Sequence, residues 1–215
     1  MREGAKALVD TIKAFRLFLT PIQLLAVAQD RLATFCDRVR AKVPEDRQQE
    51  AAPSIALPIL MDLRFIEDNN PLTKLYLNLL ARAIDKERCN EAHPAFVKII
   101  EQMSPDEAMV MYQFKEKDCW PFPPPLGRSA LEYSFPHLTL ANPSEMQVYL
   151  EHLEALNLIG LPTFYLEIER AGLQTSGRKG NGIEITEFGR LFIKACIPDD
   201  FDLARVTRYS TAANQ

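Results

Sequence analysis

The sequence predicts a mainly helical fold with one small β-hairpin. Three features predict it. Apolar residues recur at spacings of three and four, prolines follow capping residues, and one glycine-rich stretch separates two alternating segments. Four regions are expected: a helical arm and linker over residues 1–50, a helical block over 51–103, a helix–helix–hairpin–helix module over 104–198, and a tail over 199–215.

In the arm, Leu8, Ile12, Phe15 and Leu19 form one stripe, and Ala28, Leu32, Phe35 and Val39 form a second after Pro21. A helix to about residue 43 is predicted, kinked or broken at Pro21, which supplies no N–H to the helical ladder. Residues 44–53, PEDRQQEAAP, read as a polar linker. The block follows with SIALPILMDLRFIED and PLTKLYLNLLARAIDKE, the latter carrying Leu72, Leu75, Leu79 and Arg82 or Ala83 in helical register.

Five prolines sit one position after a residue able to cap a helix: Thr20–Pro21, Asn70–Pro71, His93–Pro94, Ser104–Pro105 and Asn142–Pro143. Proline suits the first helical position because its φ is already helical and its missing N–H had no partner there. Thr20 with Gln23, Ser104 with Glu107 and, more loosely, Asn142 with Glu145 complete capping boxes. HPAFVKIIEQM is therefore one short helix, and SPDEAMVMYQF opens the next.

That next helix is expected to run to about Lys117, before CWPFPPPLG, which is too proline-rich for regular structure. A helix from Pro143 to about Leu158 puts Met146, Leu150, Leu153 and Ile159 on one face. Phe164, Leu166 and Ile168 then alternate with Tyr165, Glu167 and Glu169, as in a strand. The tip GLQTSGRKGNG leads to Ile183 and Ile185, and Thr186 caps a last helix, EFGRLFIKAC. This order is that of a winged helix, so the module is read as winged-helix-like.

Charge bears on what such a module could bind. The chain carries a net charge of −4. Residues 104–200 hold 8 Lys and Arg against 14 Asp and Glu, and the helix expected to read a groove has Glu145, Glu151 and Glu154 without one cation. Phosphate neutralisation needs cations, so nucleic acid is not the expected partner. Arg178 and Lys179 at the hairpin tip are the candidate nucleic-acid contacts, with a solvated turn as the plainer account.

No catalytic constellation appears. The three histidines, His93, His137 and His152, lack metal-ligand spacing, and there is no G-x-S-x-G, phosphate-cradling glycine loop or H-E-x-x-H. A non-enzyme without metal or cofactor is expected. Cys36, Cys89, Cys119 and Cys196 are scattered and read as reduced cytosolic thiols, with no signal peptide before them. The apolar stretch from Ile12 to Ala28 is broken by Lys13, Arg16, Pro21 and Gln23, short of the ~20 apolar residues of a membrane span.

Three stretches together resemble the abortive-infection alpha (Abi-alpha) family of prokaryotic proteins: LYLNLLARAID (75–85), HPAFVKIIEQMSPDEA (93–108) and ITEFGRLFIKAC (185–196). They match a leucine- and alanine-rich helix, an HP-x-F helix with an LSP-x-E-A helix start, and an LT-x-FG-x-x-F element. Met103 and Ile185 stand where leucine is usual. The resemblance covers about residues 50–198 and implies a role in phage defence, with no catalytic residues to carry over.

A cytoplasmic defence protein acting through protein contacts is the expected function. A winged-helix DNA-binding regulator is the alternative, and a membrane-active effector using Ala14 to Ala28 comes third. The arm's stripes need a covering surface, since each large apolar side chain left in water forgoes about 1.5–3 kcal/mol. A homo-oligomer is expected, with Leu8, Ile12, Phe15, Leu19, Leu32 and Phe35 at its interface.

Overall fold

The computed structural model describes residues 29–121, 135, 138–161 and 182–199. The described chain is mainly helical, with a small three-stranded antiparallel sheet. The helices are α1 (29–40), α2 (Pro53–Leu63), α3 (Pro71–Ile84), α4 (Ala95–Gln102), α5 (Pro105–Gln113), α6 (Met146–Ala155) and α7 (Glu187–Cys196). The strands are β1 (Cys119–Pro121), β2 (Ile159–Gly160) and β3 (Gly182–Ile185).

Helix α3 is the hub. It packs against α2, α4, α5 and α7, which accounts for its burial on nearly every side. Its start is set as its sequence requires: the Asn70 side chain accepts the Leu72 N–H at 2.9 Å, with Pro71 in the first turn. One apolar cluster extends from Phe35 to Ile197, so the expected boundary between residues 103 and 104 falls inside a shared core.

Three residues of the arm's second stripe, Leu32, Phe35 and Val39, belong to this core, and Ala28 lies outside the described residues. Phe35, Val39 and Val43 are buried in it, and Leu32 is half-buried against it. The Phe35 ring lies beneath the guanidinium groups of Arg31 and Arg38, at 5.8 and 5.6 Å. Arg38 in turn grips Asp68 with two hydrogen bonds of 3.0 and 2.9 Å. Leu8, Ile12, Phe15 and Leu19 lie outside the described residues, as does the break expected at Pro21.

The polar linker is strapped down. Arg47 pairs with Asp85 through both carboxylate oxygens, the Gln49 N–H donates to Ile84 O at 2.8 Å, and the Lys86 N–H donates to Arg47 O at 2.9 Å. Burial pushes the Asp85 carboxyl up, but hydrogen bonds from Arg47 and the Glu87 N–H outweigh this and leave it below its ordinary value. Burial likewise pushes the Asp199 carboxyl up, but hydrogen bonds from Arg88 and Arg82 outweigh this, and it also ends lowered.

These two shifts have the same sign. A carboxylate whose folded pKa lies below its unfolded one stabilises the fold above the unfolded value, and that stability is lost as pH falls through the folded value. Urea melts should therefore show constant stability from neutral pH to about 5 and a fall below about 4. Asp85→Asn should lower stability at pH 7 and flatten this acid limb.

The sheet has the order β1–β3–β2, with Trp120 opposite Ile183 and Ile159 opposite Ile185. Two sequence expectations change here. The first residues of CWPFPPPLG form an edge strand, a place where proline is tolerated because no ladder N–H is needed on the open side. Ile159 belongs to β2 and not to the preceding helix. Asn157, at φ 57°, closes α6, with the Leu158 N–H bonded to Leu153 O and the Asn157 N–H to Glu154 O. The expected strand at Phe164–Ile168 lies outside the described residues.

Candidate functional site

The stretches that singled this sequence out meet at one place, and one of them builds a second corner with α6. The first is where α3, α4 and α7 converge. Phe96 is fully buried, with Phe188 at 5.4 Å and Phe192 edge-on at 5.5 Å between ring centres. The His93 ring lies tilted against Phe96 at 5.7 Å between ring centres, and its Nδ1 accepts the Ala95 N–H at 3.1 Å, so this histidine caps α4 from outside. Asn78 donates to Ala195 O at 3.0 Å, pinning α3 to the last turn of α7.

Charges ring this knot. Arg82 reaches Asp199 at 2.9 Å and Glu91 at 3.5 Å. Arg88 bonds both of those carboxylates, at 2.6 and 2.9 Å, and Lys194 meets Glu91 at 3.2 Å. Buried Arg82 is thus matched by carboxylates on two sides, which a charge removed from water requires.

Gly189 has a packing reason. A Cβ there would lie 2.0 Å from Leu158 O and 2.8 Å from Ile185 Cγ1. Only glycine lets the first turn of α7 sit this close to the entry of β2. Thr186 fixes the same corner: its Oγ accepts the Gly189 N–H at 2.8 Å and donates to Asn157 O at 2.6 Å.

The second place is the corner between α5 and α6. The Ser104–Glu107 capping box forms in both directions, at 3.2 and 2.6 Å. The other Glu107 oxygen lies 2.6 Å from His152 Nδ1 on α6. Asp106 accepts the Ala141 and Asn142 N–H groups, each at 2.9 Å, and the Tyr149 hydroxyl at 3.1 Å. Asn142 therefore does not cap as expected. Its segment is held by Asp106 and turns through a short 3-10 element, Pro143–Glu145.

A carboxylate–histidine pair beside a tyrosine invites a catalytic reading. The pair joins α5 to α6, with Asp106 and Tyr149 bonded beside it. Burial first, and then the hydrogen bond to Asp106, push the Tyr149 hydroxyl up to about 12, so it stays a proton donor at neutral pH. The Cys119 and Cys196 thiols are both pushed up by burial, away from the thiolate that a nucleophile needs. Among the described residues no group of His, Cys, Asp and Glu could hold a metal ion, and no helix is long and apolar enough to cross a membrane.

Two open grooves lie away from this corner, one along Arg40–Gln48 and one between Gln49–Ile55 and Pro94. Neither receives Glu107 or His152. Arg178 and Lys179 lie outside the described residues. Spacing alone pointed to His93, Ser104, Glu107 and Thr186 as caps, and it missed Arg82, Asp106 and Tyr149, whose partners are remote in the chain.

The abortive infection alpha family model matches residues 27–196. The chain belongs to the abortive infection alpha family. The match takes in the residues of both packing corners except Asp199, and reaches back to the start of α1, further than the stretches that carried the resemblance. No curated protein and no solved structure matches the chain.

Proposed function

We propose that this Abi-alpha protein acts in phage defence as a cytoplasmic, non-enzymatic protein working through protein contacts. Family membership supports the defence role. The observation that carries the contact reading is the use made of the family stretches. Phe96, Phe188, Phe192, Arg82 and Glu107 each hold one element against another, and Ser104 caps α5.

The strand order β1–β3–β2, with α6 entering directly into β2, supports a winged-helix-like module. The outward residues of α6 are Gln147, Val148, Glu151, Glu154 and Ala155, and Gln147 donates to Glu151 at 2.9 Å. A face with two acids and no cation suits a protein partner and repels phosphate. The simplest partner is a second copy, met through the arm.

A lawn producing the protein, challenged with a broad phage panel, should show reduced plaquing for a subset of phages. Unchanged plaquing across the panel would contradict the defence role. The DNA-binding alternative draws its support from the same strand order. It would gain if low-salt gel shifts with the native promoter were lost on Arg178→Ala and Lys179→Ala.

A further inference from the structure

We infer that the outward face of α2 is the seat for the arm of a second copy. Leu57 and Met61 are each 60% exposed, and Phe65, just past the helix, is 85% exposed. They lie at i, i+4 and i+8, on one stripe. The exposed residues of α2 itself are Pro53, Ser54, Leu57 and Met61, and none is charged. Its single charged residue, Asp62, accepts the Tyr76 hydroxyl at 2.7 Å. The opposite face, Ile55, Ile59 and Leu63, is in the core. A helix apolar on both faces is ordinarily covered on both.

The arm is the covering element on two grounds. The Arg31 guanidinium donates to Ile66 O, next to Phe65, so the arm joins the body at the end of this stripe. Its own apolar positions, Leu8, Ile12, Phe15 and Leu19, repeat at spacings of four, three and four, widened by Phe18, Leu24, Leu25 and Val27. One α2 face offers three large apolar side chains against these eight positions of the arm. Cover within a single chain would leave most of the arm in water. Two copies about a two-fold axis keep the same ratio of arm to α2 face, but there the two arms can also cover each other, and such a contact closes on itself.

This inference rests on the homo-oligomer reading above, and the test separates the two. Light scattering behind a sizing column should give full-length wild type twice the 24.4 kDa chain mass. Met61→Glu with Phe65→Glu, at exposed positions, should keep the helical signal and melting temperature and elute at monomer mass. A variant that remains a dimer overturns the seat on α2 and leaves the oligomer standing. A monomeric wild type overturns both. Should the double variant fail to fold, Phe15→Cys with Met61→Cys in a Cys89→Ser chain decides the matter after mild oxidation. A linked band of dimer mass is expected, while a link within one chain, or no link, overturns the second copy's arm as occupant.

Discussion

Phe96→Ala is expected to lower the unfolding free energy by about 3–5 kcal/mol, the range for emptying a buried aromatic site. The Phe96 side chain is fully buried where three elements meet, so no single neighbour can move in to fill the space without leaving its own contacts. Truncation also removes its tilted contact with Phe188 and its edge contact with Phe192, each worth about 0.5–1.5 kcal/mol beyond burial. Because α3, α4 and α7 share one core, the loss should appear as a shift of the whole urea transition with its slope unchanged. A loss below about 1 kcal/mol, or a separate early transition confined to α7, would contradict this packing.

Gly189→Ala should cost at or above the ~3 kcal/mol top of the usual overpacking range. The clash is with backbone. Leu158 O, which the new Cβ would approach to 2.0 Å, also accepts the Thr186 N–H at 3.1 Å and helps hold the turn into β2. Neither group can retreat without breaking that turn. Gly160→Ala is the matched control, since the nearest atom to its Cβ is Glu184 O at an ordinary 3.9 Å. Thermal melts of the pair should show a large drop for the first substitution and little change for the second. Equal effects would mean that close approach does not govern Gly189, which sits in the first turn of α7.

What was legible in the sequence was local. Asn70, Ser104 and Thr186 cap their helices because a cap closes within three residues of itself. The α3 stripe was legible because burial on a helix leaves a period. Contacts between distant segments leave no such trace. Cys119–Pro121 became a strand because β3 lies beside it, and nothing near the prolines announces that partner. Asn142 looked like a cap, yet its N–H is held by Asp106 from another helix. Ile159 continued a helical period across Asn157, where the left-handed backbone ends the helix. Asparagine adopts that conformation more readily than most residues, so this signal was present and outweighed.

The same division holds for the candidate site. The family stretches could be read as caps and stripes, but the two corners that they build could not. Phe96 finds Phe188 and Phe192, and Glu107 finds His152, only because α7 and α6 fold back onto α4 and α5.

The central claim is that these corners fasten the fold and that the protein protects by contact. Plaque counts on lawns producing His152→Gln beside wild type test it most directly. Glutamine can still donate a hydrogen bond to Glu107 but cannot serve as a general acid or base at neutral pH. If the fastening account is right, the purified variant melts close to wild type and both lawns reduce plaquing to the same degree. A well-folded His152→Gln protein that has lost protection would contradict it and make the corner a chemical site.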